Sequence, residues 1–432
     1  MHTKANKITL ITMGCSKNLV DSENIVTYLS NSGYEVMHEK GDKNTGTVII
    51  NTCGFIHDAK QESINTILQF AELKRSGEIE RLYVTGCLSQ RYREALRKEI
   101  PEVDDYFGTD IRELLIKFNI DYKKSLLGER VPSTPPHYAY LKIAEGCDRS
   151  CSFCAIPLIR GKHKSRPVED IVTEARKLSE KGVKELILIS QELTYYGIDL
   201  YGKRMLDNLL EKLTEIENIE WIRLHYTYPG NFPLTLIDTM AKHEKICNYL
   251  DIPLQHANNR ILKSMKRFAT KKNAVDIIEY ARKTIPDIAI RTTFIVGFPG
   301  ESQSEYEELL DFLKEMKFDR VGVFEYSHEE DTKAYELEDN IGEDEKKYRA
   351  AGLMEIQSEI SYEKNLKKIG QTLKVLIDKK ENGYYIGRTQ YDSPEVDNEV
   401  LINSSKPLKP GEFYNILITG AQEYDLKGIV AS

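Results

Sequence analysis

Cys147-Asp-Arg-Ser-Cys151-Ser-Phe-Cys154 places three thiols within eight residues, directly after the apolar, strand-like run Tyr138–Ala144. A loop this short can turn three sulfurs toward one point. Thiolate is the soft ligand that iron–sulfur clusters and zinc select. Structural zinc takes four closed ligands, and no fourth Cys or paired His follows at finger or ribbon spacing. A zinc knuckle or three incidental thiols are the plainer readings. Three ligands on one loop would leave one coordination position of a metal open.

Downstream of this loop the chain repeats strand then helix to about residue 330. Strands are expected at Tyr138–Ala144, Glu185–Ser190, Trp221–Tyr226, Tyr249–Ile252, Ile288–Val296 and Arg320–Tyr326. Helices are expected between them, as at Val168–Lys181, Met205–Ile216, Leu234–Lys242, Asn273–Thr284 and Glu301–Met316. Six parallel strands fall short of a closed eight-stranded barrel, so a partial (β/α)6 barrel is predicted.

The cysteine spacing followed by this alternation resembles the radical S-adenosylmethionine (SAM) enzymes. The resemblance implies that Cys147, Cys151 and Cys154 hold a four-iron four-sulfur (4Fe-4S) cluster. It also implies that SAM chelates the fourth iron and is cleaved, on reduction, to methionine and a 5′-deoxyadenosyl radical. Candidate SAM contacts follow or lie within strands: Gln191 and Glu192 after the second, Arg291 within the fifth, and Gly297 in Val296-Gly-Phe-Pro-Gly-Glu301. Glycine lets backbone approach a ligand, and a cation can pair with the SAM carboxylate. A simple helix-entry corner would explain Gly297, Pro299 and Gly300 equally well. Arg160, Lys162, Lys164 and Arg166 form a basic run, either a solvated loop or a contact for SAM or an acidic substrate.

Upstream, residues 5–125 read as a doubly wound parallel α/β domain, with strands near Ile8–Met13, Tyr34–Met37, Thr47–Asn51 and Arg81–Thr85. Helices at Ser22–Leu29 and Lys60–Leu73 alternate with them. Cys15 follows the first strand, Cys53 the third and Cys87 the last. Open parallel sheets bind ligands beyond the carboxyl ends of their strands, so these thiols are expected to converge on one edge as a second cluster site. Three buried core thiols are the alternative, but those belong inside apolar runs. The segment Glu129-Arg-Val-Pro-Ser-Thr-Pro-Pro-His137 reads as a semi-rigid linker. It leads to the core at 133–365.

Residues 342–368 read as a charged helical connector. Residues 366–432 then change to short strands at Thr372–Ile377, Tyr384–Thr389, Glu399–Ile402, Tyr414–Thr419 and Gly428–Ala431. Five short strands separated by turns predict a small antiparallel β-barrel. It resembles the TRAM domain, a module associated with RNA, and is expected to bind substrate. From Leu366 onward, however, nine Lys and Arg face nine Asp and Glu. A reader of phosphate backbones should be basic.

The whole chain of 432 residues carries a formal charge of −8 with 41% hydrophobic residues, which disfavours nucleic-acid binding through a global basic field. No signal-peptide core and no membrane-length apolar run appear, so a cytoplasmic protein with no membrane contact is expected. Its seven cysteines then read as ligands and not as disulfides. Cys247 matches no ligand position and reads as a buried structural thiol.

Three strand-end cysteines, a radical SAM triad and a TRAM-like barrel together resemble the methylthiotransferases, nearly end to end. The resemblance implies two 4Fe-4S clusters, with Cys15, Cys53 and Cys87 holding an auxiliary one that carries sulfur, and with SAM supplying both methyl group and radical. Three stretches are similar to the branch that modifies small-subunit ribosomal protein S-twelve. They are Cys15-Ser-Lys-Asn-Leu-Val-Asp-Ser-Glu23, Tyr326-Ser-His-Glu-Glu-Asp-Thr-Lys-Ala334 and Arg388-Thr-Gln-Tyr-Asp-Ser-Pro-Glu-Val-Asp397. Ser16 stands where that branch commonly has proline, and Asp331 where it commonly has glycine. The acidic turn Asp392, Glu395, Asp397 and Glu399 suits a basic protein partner better than RNA. The implied reaction is methylthiolation of an aspartate β-carbon of that protein, free or in the ribosomal subunit. An electron donor such as flavodoxin or ferredoxin and a sulfur source are implied partners. The competing expectations are modification of an adenosine in tRNA, and a non-catalytic iron–sulfur carrier or RNA-binding protein.

Overall fold

The computed structural model describes residues 6–38, 45–122 and 129–431. The expected unit 5–125 begins and ends outside the described residues, as does the last residue of the unit 366–432.

The N-terminal part runs β1 (Lys7–Thr12), α1 (Ser16–Asn31), β2 (Glu35–His38), β3 (Thr47–Thr52), α2 (His57–Arg75), β4 (Arg81–Gly86), α3 (Cys87–Glu99), β5 (Asp105–Tyr106) and α4 (Ile111–Lys117). Its strands form one parallel sheet in the order β2-β1-β3-β4-β5. Because strand side chains alternate, Val48, Ile50, Leu82 and Val84 pack with Ile67, Leu88 and Leu96 of α2 and α3. Ile49 and Tyr83 pack with Ile25, Leu29, Leu114 and Leu115 of α1 and α4 on the other face. Covering both faces explains why β3 reads as an unbroken buried run. The short β5 lies beyond β4, so Cys87 follows the fourth strand of five and not the last.

The central part continues with β6 (Tyr138–Lys142), β7 (Ala144–Glu145), α5 (Ile156–Arg160), β8 (Lys164–Ser165), α6 (Val168–Glu180), β9 (Glu185–Ile189), α7 (Ile198–Tyr201) and α8 (Leu206–Thr214). It is completed by β10 (Trp221–Leu224), α9 (Thr235–Lys242), β11 (Ile246–Asp251), α10 (Asn259–Ser264), α11 (Lys271–Thr284), β12 (Ala289–Val296), α12 (Gln303–Met316) and β13 (Arg320–Glu325). Six strands pair in parallel, in the order β6-β9-β10-β11-β12-β13, and the sheet does not close. One residue set, including Leu141, Leu186, Leu188, Ile222, Leu250, Ile290 and Phe294, packs against the helices. Each such buried aliphatic side chain contributes about 1.5–3 kcal/mol. The helix α12 opens with a Ser302–Glu305 capping box, which fixes where the turn after β12 ends and the helix begins.

The helix α13 (Glu343–Leu366) packs on the core and leads to β14 (Thr372–Glu381), β15 (Tyr384–Thr389), β16 (Val400–Asn403), β17 (Phe413–Ala421) and β18 (Leu426–Val430). These five close into a barrel in the order β14-β15-β16-β18-β17. The pair β16–β18 is parallel, so the barrel is not wholly antiparallel.

Two carboxylates of the acidic turn between β15 and β16, Asp392 and Asp397, are not free surface, while Glu395 is exposed. Asp392 is 1% exposed and paired with Arg320, and Thr389 donates to it. Asp397 accepts from the Tyr249 hydroxyl at 2.6 Å and pairs with Arg291 at 3.3 Å. Glu395 accepts from Tyr138 and Tyr140. Ser393 meets His225 at 2.9 Å, and Arg388 bridges Asp378 and Glu185 at 2.8 Å each. The turn enters the concave side of the open barrel, with Tyr138, Glu185 and Arg320 at the first positions of their strands among its anchors. It satisfies a polar inner wall that would otherwise be desolvated without partners. Asp392 and Asp397 of the expected docking patch for a basic protein therefore belong to an interdomain stopper.

Candidate functional site

The N-terminal sheet order, 2-1-3-4-5, reverses direction between β1 and β3. Crevices form at such switch points. Cys15 is the residue preceding α1, Cys53 follows β3, and Cys87 opens α3 after β4. All three thus lie at the carboxyl edge of adjacent strands. Cys15 is exposed, while Cys53 and Cys87 are buried. The surrounding backbone is cut close. A Cβ on Gly14 (φ +91°) would fall 2.7 Å from Cys53 Cβ and 2.8 Å from its Sγ. One on Gly54 would fall 2.6 Å from the Leu88 backbone. Asn18 ties the edge together, donating to Met13 O and Thr52 O at 2.9 Å while accepting from the Cys87 thiol at 3.5 Å.

The second trio sits in the loop after β6. The antiparallel pair β7–β8 pinches this loop at its base, and Cys147 N donates to Gly161 O at 3.1 Å. Arg149 crosses the loop to pair with buried Glu192 at 2.7 Å, its guanidinium stacked over Tyr228 at 4.2 Å. Arg267 lies over the same ring at 4.5 Å and reaches Cys151 Sγ at 3.8 Å. Burial pushes the Cys147 thiol up to about 11 and the Cys154 thiol up to about 12. Cys87 rises to about 12 for the same reason, against the pull of Arg160. Ligation by such thiols must release protons. Among the described residues, no three His, Cys, Asp or Glu side chains have the geometry to hold a single metal ion.

The two trios share a wall. Cys87 packs with Ala155 and Ile159, the first of which directly follows Cys154. Arg160 donates to Cys87 Sγ at 3.5 Å and pairs with Asp21 at 2.9 Å and Glu145 at 3.0 Å. The basic run therefore divides: Arg160 is buried, Arg166 pairs with Glu174 at 2.6 Å, and Lys162 and Lys164 are exposed.

The expected SAM contacts separate in the same way. Gln191 donates to Glu145 at 2.8 Å and keeps a buried, unpartnered Oε1. Glu192 is engaged by Arg149 and Thr194. Arg291 is engaged by Asp251 at 3.3 Å and by Asp397 of the stopper. Gly297 (φ +71°) lies under α13, where a Cβ would sit 3.1 Å from Lys346 Cδ, so packing explains the glycine. Ser190 Oγ, Gln255 Oε1 and Arg267 Nε are further buried polar atoms without a partner among the described residues. Ser190 follows β9 and Gln255 (φ +74°) follows β11, which puts open hydrogen-bonding capacity where a polar cofactor such as SAM would lie. Sequence reading passed over Gln255 and Arg267, because nothing in composition or spacing signals a strained φ or an orphaned donor.

Comparison with known proteins follows the same three parts. Residues 7–108 match the model described as Uncharacterized protein family UPF0004, 141–313 the Radical SAM superfamily, and 369–430 the TRAM domain. Among solved structures, the radical SAM methyltransferase TsrM from Kitasatospora setae superposes with a TM-score of 0.53. That match has 15% identity over 74% of this chain and 75% of that one. Curated relatives include the ribosomal protein uS12 methylthiotransferase RimO of Christiangramia forsetii, 55% identical over 98% of this chain and 94% of the relative. The protein of that name from Flavobacterium johnsoniae is 56% identical over 98% of each chain. The one from Cytophaga hutchinsonii is 52% identical over 99% of each. Identity at this level spans both thiol edges, the wall between them and the stoppered barrel, and on it the chain belongs to the ribosomal protein uS12 methylthiotransferase family of radical SAM enzymes.

Proposed function

We propose that this protein adds a methylthio group to ribosomal protein uS12, at the β-carbon of an aspartate side chain. The observation that carries the reading is the shared wall: Cys87 of one trio packs against the residues that follow Cys154 of the other. Two reactive centres held that close suit a reaction in which one centre opens a C–H bond and the other supplies the replacing atom.

In this reading Cys147, Cys151 and Cys154 hold one 4Fe-4S cluster, and Cys15, Cys53 and Cys87 hold the other. When bound, the clusters and SAM supply a radical that removes hydrogen and a sulfur that carries the methyl group. The chain supplies position. Arg149 and Glu192 lock the Cys147 loop against the second strand of the core. Gln191, Ser190, Gln255 and Arg267 offer unpartnered polar atoms for the cofactor. The buried faces of Ala155 and Ile159 keep water out between the trios. The units 5–125, 133–365 and 366–432 are taken as the auxiliary-cluster, radical and substrate-binding parts. Their work requires a low-potential donor such as flavodoxin or ferredoxin, a sulfur source, and a cytoplasmic setting. No helix among the described residues is long and apolar enough to cross a membrane.

Mass spectrometry of uS12 and of tRNA from cells with and without the gene tests the reading. The expected result is loss of one methylthio group from uS12 alone. A lost methylthio group on tRNA, with uS12 unchanged, would replace it with the nucleic-acid reaction. Anaerobic reconstitution should give about eight irons per chain. Cys53→Ala and Cys151→Ala should each lose about half of that iron. Full iron content in either variant would overturn the ligand assignment.

A further inference from the structure

Lys17 lies in the first turn of α1, two residues beyond Cys15, and is only 8% exposed. Its ammonium stands 3.1 Å from the centroid of the Tyr226 ring, across the junction between the N-terminal sheet and the core. Tyr226 follows β10 at the carboxyl end of the barrel, held in a left-handed conformation (φ +65°) by an N–H bond to Asp251 at 2.9 Å. Among the described residues, no carboxylate pairs with Lys17, although several lie close in the chain or the fold. Asp21, one turn along the helix, is engaged by Lys142 and Arg160. Asp251 is engaged by Arg291, Glu145 by Arg160 and Lys142, and Glu192 by Arg149. A lysine this deeply buried is ordinarily paired. Here the neighbouring acids are each matched to another cation, and the lysine is left with an aromatic face.

The surroundings favour an anion. The first turn of α1 carries no acidic residue, and its N-cap side chain makes no capping bond, so the positive end of the helix points to the same place. We propose that Lys17 receives the side-chain carboxylate of the substrate residue and so holds the adjacent carbon between the two thiol trios. The inference rests on the reading that the substrate is an aspartate of uS12. Its chemistry follows from position. A carboxylate bound two residues from Cys15 places the neighbouring carbon beside the auxiliary edge, while Tyr226 belongs to the mouth that the Cys147 loop also lines.

The test is a double-mutant comparison of affinity. Wild type, Lys17→Met, Lys17→Gln and Lys17→Arg are measured against purified uS12 and against uS12 with its target aspartate changed to asparagine. Iron content and far-ultraviolet circular dichroism show that each variant has folded and loaded. Wild type should bind the aspartate form about 30-fold more tightly than the asparagine form. Lys17→Met and Lys17→Gln should lose that preference, and Lys17→Arg should recover part of it. A methionine or glutamine variant that keeps the full preference overturns the role of Lys17. So does a preference left intact while SAM affinity, measured by equilibrium dialysis, falls; that result would assign Lys17 to the cofactor carboxylate. Wild type that neither binds nor modifies uS12 would instead overturn the substrate reading, and the inference with it.

Discussion

Arg160 is the residue on which the two halves of the site depend. Its guanidinium touches Cys87, Asn18, Asp21 and Glu145, drawn from both sides of the shared wall. Removing one partner of a buried charge pair strands the others. Arg160→Met should lower stability by about 3 kcal/mol, read by chemical denaturation of the reconstituted protein, and should loosen iron retention at the Cys87 trio first. A smaller effect belongs to Asp331, which is exposed and held at φ +62°, a left-handed conformation. The resemblance implies glycine at this position, and a left-handed backbone gives the reason. Asp331→Gly should leave the melting temperature unchanged or raised, whereas Asp331→Val should cost about 1–2 kcal/mol. The placement of Cys15, Cys53 and Cys87 at one sheet edge was legible because residues just beyond parallel strands share the carboxyl edge. The arginine was not: a basic run on a loop looks solvated until the fold shows which of its members turns inward.

At the scale of elements, the three stretches that resemble the uS12 branch share a property that no single stretch reveals. Each forms an interdomain contact. The helix start Lys17–Glu23 meets Tyr226, Lys142 and Arg130. The loop after β13 brings Glu329 to Lys60 at 2.9 Å and to Arg91 at 2.8 Å. The turn Arg388–Asp397 stoppers the barrel. Most of the expected strands and helices came through in the sequence to within a few residues, since periodicity reports them directly. However, α1 starts at Ser16 and not Ser22, and α3, whose first residue is Cys87, was not expected. The destination of the acidic turn did not, because charge in a turn looks the same whether it faces water or a buried arginine. Its burial reverses the expected behaviour. Asp392→Ala should not tune a salt-dependent encounter with uS12. It should instead leave Arg320 unpaired and destabilise the chain by about 3–5 kcal/mol. Thermal melts and protease sensitivity near residue 370 would register the change. A purely kinetic, salt-sensitive loss of uS12 binding would contradict it.

Across the whole molecule, the N-terminal sheet reaches both rims of the open barrel. Val20 of α1 packs with Tyr138, Tyr140, Ile187 and Ile189 near one rim, and α2 and α3 hold Glu329 beyond the other. Buried Arg130 fastens the first contact, bonding Glu23 of α1 and Glu174 of α6. Burial alone would raise the Glu174 carboxyl, but Arg166 and Arg130 hold it down to about 2. The folded value lies below the unfolded one, so this contribution is complete above about pH 4.5 and is lost as pH falls through about 2. Arg130→Met should therefore move acid unfolding, followed by near-ultraviolet circular dichroism, to a higher pH, with the loss of stability complete at neutral pH and shrinking as pH falls toward about 2. Truncation after Leu366 should fail to give a stable core, because it strips partners from Glu185, Arg223, Tyr249, Arg291 and Arg320 together.

The stopper also sets a rule of access. A chamber plugged from beneath and bridged along its open side is a cul-de-sac, and a polypeptide cannot be threaded through a cul-de-sac. Only something that enters and backs out by the same door can be served, which for a protein means the tip of a protruding loop. The fold thereby selects its customers by topology before any side chain is read. An aspartate grafted at the apex of a hairpin should therefore be modified and one in a strand or in mid-helix should not, as mass spectrometry of such test proteins would show.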